Sequence, residues 1–89
     1  MSQKHVRILQ GILQEPVRGN IHWREVESLL QHLGATLDCA HGGARVKVLL
    51  NGVEGTVHRP HHSGVCSKQE IRHLREYLLS AGISPASIG

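Results

Sequence analysis

The densest run of chemically versatile side chains in this sequence is His58-Arg59-Pro60-His61-His62, placed where an alternating segment gives way to a loop. Imidazole takes and gives protons near neutral pH, and guanidinium holds phosphate oxygens without giving up its own proton. Together they have the parts for acid–base chemistry on a phosphate ester. Arg45 and Lys47 recur at period two just upstream, and Lys68, Arg72 and Arg75 recur at helical spacing downstream. Both sets could grip an RNA backbone. Each also has a plainer role, as surface histidines, as edge charges that discourage aggregation, or as a solvated helix face. Cys39-x-His41, together with His58, His61, His62 and Cys66, contains the ligand types zinc prefers. Their spacing fits no structural zinc pattern, so neither a metal nor a cofactor is expected, and a metal-binding regulatory domain stays a third alternative.

These residues need a scaffold, and the strongest local signal for one is Asn51-Gly52 between residues 44–50 and 53–59. That dipeptide suits the two positive-φ positions of a type I′ hairpin turn. A two-residue turn sets Leu50 opposite Val53, Val48 opposite Gly55, Val46 opposite Val57 and Arg45 opposite His58. Alternation then makes one face apolar and sends Arg45, Lys47, Leu49, Glu54, Thr56 and His58 to the other. A short strand over Ala35–Cys39 and a turn at His41-Gly42-Gly43 precede the hairpin.

Helical spacing marks three further elements. Val6, Leu9 and Leu13, with Ile8 and Ile12 alongside, predict a helix over residues 4–14 that ends at Glu15-Pro16. Trp23, Val26, Leu29, Leu30 and Leu33 form a second stripe closed by Gly34. Ser67 and Glu70 have the spacing of a capping box that opens a last helix with the stripe Ile71, Leu74, Leu78 and Ala81, closed by Gly82. Trp23 and Tyr77 fall on or beside these stripes and read as core or rim residues. Residues 84–89 read as a flexible tail. The expected architecture is α+β, a three-stranded antiparallel sheet with helices on one face and the polar face left to solvent.

With 89 residues there is room for one domain, spanning 1–89. Ten Lys and Arg against seven Asp and Glu, plus eight His, suit a polyanionic partner. One Trp, one Tyr and no Phe leave almost no platform on which to stack single-stranded bases. The longest apolar run, Val48-Leu49-Leu50, is far too short for a membrane span, which needs about 20 residues. Two cysteines without an apolar signal segment suggest a reduced, cytoplasmic setting.

The ordered string Ile21-x-Trp23, Glu27-x-Leu29-Leu30, Leu33-Gly34-Ala35, Gly43-x-Arg45-Val46, Leu50-Asn51-Gly52, His58-Arg59-Pro60-His61 and Ala81-Gly82-Ile83 resembles the HicA family over residues 20–83. It looks most like a branch with an additional N-terminal helix, here residues 4–14. The resemblance implies a fold similar to double-stranded-RNA-binding domains. It also implies a toxin of a type II toxin–antitoxin module, an mRNA interferase (endoribonuclease) held in check by a HicB antitoxin. The usual family triplet on the second strand is Gly-Ser-His, with that histidine catalytic; here it is Gly43-Ala44-Arg45. Arginine cannot act as a base, so Arg45 becomes the expected phosphate clamp and His58 the proton-transfer group, with His61 or His62 supplying the other proton transfer. Arg45, Lys47, Arg59, His62, Lys68, Arg72 and Arg75 are the expected RNA contacts. The alternative is a non-catalytic RNA- or protein-binding module on the same scaffold.

Overall fold

The structure, a computed structural model, describes residues 3–14, 16–17, 19–38, 45–60 and 64–84. In chain order the elements are α1 (Gln3–Leu13), α2 (Trp23–His32), β1 (Thr36–Asp38), β2 (Arg45–Leu50), β3 (Val53–His58) and α3 (Lys68–Ser80). The strands form one antiparallel sheet in the order β1-β2-β3. Among the described residues the fold is therefore α+β, with three helices and a three-stranded antiparallel sheet. Among the described residues no helix is long and apolar enough to cross a membrane.

The hairpin register is the one expected from Asn51-Gly52, from Leu50 opposite Val53 to Arg45 opposite His58. Asn51 and Gly52 both take positive φ, 53° and 79°, the backbone that a type I′ turn requires. Val46, Val48, Leu50 and Val57 are buried, while Arg45, Lys47, Leu49, Glu54, Thr56 and His58 are exposed. β1 pairs with β2 through Leu37 opposite Val48 and Asp38 opposite Lys47. The turn at His41-Gly42-Gly43 and the expected end of β1 at Cys39 lie outside the described residues, as does the tail beyond Ser84.

α2 packs on β1, α3 packs on β3, and α1 packs on α2 and α3. The buried stripe of α1 is Ile8, Leu9 and Ile12, while Val6 and Leu13 are only half-buried. The helix is thus rotated from the face that Val6, Leu9 and Leu13 define, because contact with two neighbouring helices favours the side bearing both isoleucines. Trp23, Val26, Leu29 and Leu30 are buried on α2, and Ile71, Leu74, Tyr77 and Leu78 on α3.

Both ends of α3 and the C-terminal end of α2 are capped. Ser67 Oγ accepts from the Glu70 N–H at 3.1 Å, and Glu70 Oε1 accepts from the Ser67 N–H at 2.7 Å, a reciprocal capping box. Both α2 and α3 close with a Schellman pair. Gly34 donates to Gln31 and Ala35 to Leu30; Gly82 donates to Leu79 and Ile83 to Leu78. Outside the hairpin, Trp23 donates to the Gly64 carbonyl and Cys66 to that of Ile21, which ties the entries of α2 and α3 together.

Towards its C-terminal end, α3 is docked on the hairpin through Asn51 and Tyr77. The Asn51 side-chain amide donates to the Ala81 carbonyl at 2.8 Å, so the turn residue also satisfies the end of α3. The Tyr77 hydroxyl donates to the Val53 carbonyl at 2.8 Å, and its ring lies directly over Gly55. A methyl group at Gly55 would overlap Tyr77 Cδ1 and Cε1. Gly55→Ala is therefore expected to cost about 1–3 kcal/mol by overpacking, and Tyr77→Phe about 0.5–1.5 kcal/mol by loss of one hydrogen bond. Urea unfolding measures both. A Gly55→Ala variant as stable as the parent would show that α3 does not need this close approach.

Candidate functional site

In a two-residue hairpin the pair that closes the turn exchanges both backbone hydrogen bonds, and alternate pairs exchange none. Glu54, Thr56 and His58 therefore turn their backbone groups away from β2, towards the free edge of the sheet. α3 meets this edge. His73 Nε2 lies 2.9 Å from the Thr56 carbonyl oxygen. A carbonyl only accepts, so Nε2 carries a hydrogen, and in the neutral ring the lone pair is then on Nδ1.

One turn earlier on α3, Glu70 Oε2 lies 3.6 Å from His58 Nε2, while Oε1 of the same carboxylate is held by the capping box. A single side chain thus caps α3 and holds the imidazole at the end of β3. The His58 side chain is 53% exposed and that of Glu70 20%, so the pair stands at the surface and orients the ring more than it stabilises the fold. Arg45 faces His58 across the hairpin. Arg45, Thr56, Val57, His58 and His73 line a cleft of about 360 Å³.

The cleft brings together a permanent cation, two imidazoles that can exchange protons and, at its margin, a fixed carboxylate. A cation beside two proton carriers can hold an anionic ester while protons move on and off its oxygens.

The other candidate residues are distributed differently. Lys47 is exposed between Asp38 and Thr56, its partners on the two neighbouring strands, and shares a shallow depression with Asp38, Leu49 and Glu54. That part of the polar face is mixed in charge. Arg59 is half-buried just beyond β3. Lys68 and Arg72 are exposed and Arg75 is half-buried. At about 100° per residue these three lie on the flank of α3 opposite Glu70, His73 and Tyr77, so they do not share a surface with the cleft. His61 and His62 lie outside the described residues, as do Cys39 and His41. Among the described residues no three His, Cys, Asp or Glu side chains converge to hold a metal ion.

In the sequence Glu70 reads only as a capping residue, and His73 belongs to none of the motifs. The available signal was the spacing of Glu70, His73 and Tyr77 at i, i+3 and i+7, a second stripe beside the apolar one. No family model, curated protein or solved structure matches the chain.

Cys66 is a free, buried thiol just before α3. Burial, then the nearby charges of Glu70 and Glu25, push it from its ordinary value of 9.0 up to about 11. The folded state thus favours the thiol over the thiolate, and this contribution is present below about pH 9 and lost as pH rises towards about 11. Urea midpoints are expected to fall more steeply over that interval in the parent than in Cys66→Ala. Parallel curves would contradict the assignment.

Proposed function

We propose that the chain is an RNA-cleaving toxin of the HicA type, an mRNA interferase acting in the cytoplasm and restrained by a HicB-like antitoxin. The observation that carries this reading is the direct pairing of Arg45 with His58 in one cleft at the sheet edge. Cleavage of RNA through its own 2′-hydroxyl requires a cation for the crowded phosphate, a base for the hydroxyl and an acid for the departing 5′-oxygen. Arg45 supplies the cation and His58 one of the proton transfers. The reading includes a fold of the double-stranded-RNA-binding type, with α1 as the additional helix. The ordered motifs of residues 20–83 support it, as does the helix–strand–strand–strand–helix order of α2 to α3.

In this proposal the scissile phosphate sits beside Arg45, and Lys47 and Arg59 hold the flanking backbone. Lys68, Arg72 and Arg75 contribute only where the RNA passes over the far flank of α3. An antitoxin that inhibits by occlusion covers the polar hairpin face and sets acidic side chains against Arg45 or Lys47. Leu49, 46% exposed in the middle of that face, gives such a partner an apolar anchor.

The mutants of the pair should fail in different ways. His58→Ala is expected to lose about 10²–10⁴-fold in cleavage rate while RNA binding stays near the parent's. Arg45→Ala should lose both binding and cleavage, and Arg45→His, which restores the usual family residue, should retain or raise activity. If folded His58→Ala cleaves as fast as the parent, His58 is not the proton-transfer group; a parent that binds RNA without cleaving it is a binding module instead.

Binding should weaken with salt as counterions are released, and Lys47→Ala should flatten the slope of log affinity against log salt by about one unit. Salt-independent binding would remove both RNA readings.

A further inference from the structure

We infer that His73 is the second proton-transfer residue of this cleft, the base that takes the 2′-hydroxyl proton while His58 serves as the acid. The inference rests on the RNA-cleavage reading and completes it with a residue on α3. His73 is exposed, lines the cleft with Arg45 and His58, and is held by its bond to the Thr56 carbonyl. That bond fixes the tautomer: Nε2–H is occupied by Thr56, and Nδ1 is the nitrogen able to accept a proton. Because the Thr56 carbonyl belongs to the free edge of β3, the ring is anchored to the strand that ends in His58. Glu70 stands at His58 Nε2, a partner suited to a ring nitrogen that carries a proton, which matches the acid role. The two rings thus have different anchors, a neutral carbonyl for one and a carboxylate for the other, and unlike surroundings divide acid from base.

The step balances without metal or water. His73 Nδ1 takes the 2′-hydroxyl proton, and the 2′-oxygen forms a bond to phosphorus. The bond from phosphorus to the 5′-oxygen breaks, and that oxygen takes the Nδ1 proton of the His58 imidazolium. Arg45 compensates the charge on the non-bridging oxygens. The products are a 2′,3′-cyclic phosphate and a 5′-hydroxyl, with the proton inventory unchanged except that His73 now carries it and His58 does not.

The diagnostic variant is His73→Gln, whose side-chain amide can still donate to the Thr56 carbonyl but cannot exchange a proton near neutral pH. Its urea midpoint and RNA affinity should stay at the parent's values, and its cleavage rate should fall about 10²–10⁴-fold. The parent's pH–rate profile should be bell-shaped, and the variant's should lose the limb that rises from acid pH. Among the described residues, Arg45 on β2 faces His58 across the hairpin, Glu70 on α3 stands at its Nε2 and Arg59 follows it in the chain, so the two apparent values belong to the cluster.

If His73→Gln cleaves at the parent's rate while His58→Ala is inactive, the base is another group and this inference falls, leaving the RNA-cleavage reading intact. A slow variant that keeps both limbs gives His73 a structural role and overturns the inference equally. If the parent cleaves no RNA, the underlying reading fails and takes the inference with it.

Discussion

Tyr77 rests its ring where Gly55 has no side chain and donates its hydroxyl to the Val53 carbonyl. It is the middle of a series of contacts running along α3. Asn51 reaches the Ala81 carbonyl at the C-terminal end, His73 meets the Thr56 carbonyl further back, and Glu70 meets His58 near the N-terminal end. Glu70, His73 and Tyr77 lie on one flank of the helix, and each meets β3 at a different level. The helix cannot turn about its axis without losing several of them, so the cleft depends on how α3 is docked.

This docking in turn requires the hairpin register. A slip of one residue would move Val46, Val48 and Leu50 to the solvent face and Arg45 and Lys47 into the core, and would take Gly55 out from under Tyr77. Asn51-Gly52 prevents the slip by favouring a turn of exactly two residues, and Asn51 then ties that turn to the end of α3. The turn that aligns Arg45 with His58 is thus the same one that seats the helix carrying Glu70 and His73.

What was legible in the sequence follows from this hierarchy. The hairpin, its register and the Arg45–His58 pairing are encoded in adjacent residues and a period-two pattern, so they could be read directly. The Ser67–Glu70 capping box was legible for the same reason. The second task of Glu70 at His58, and the place of His73 in the cleft, depend on the azimuth of α3 against β3, which packing of distant segments decides. The same azimuth puts Lys68, Arg72 and Arg75 on the far flank, a separation from Arg45 that helical spacing alone could not reveal. The rotation of α1 towards Ile8 and Ile12 is likewise a consequence of two helical neighbours. His61 and His62 lie outside the described residues, and His73 occupies the position in the cleft from which a second histidine can act.

If the cleft of Arg45, His58 and His73 cleaves RNA through the 2′-hydroxyl, as proposed, its chemistry is recorded in the ends it leaves. Purified protein incubated with mixed cellular mRNA, followed by mapping of the new termini, should give 2′,3′-cyclic phosphates and 5′-hydroxyls. An oligonucleotide carrying a mapped site should become resistant when the nucleotide 5′ to the cut is changed to its 2′-deoxy form. New 5′-phosphate ends, cleavage of the 2′-deoxy substrate, or RNA left whole would contradict the account.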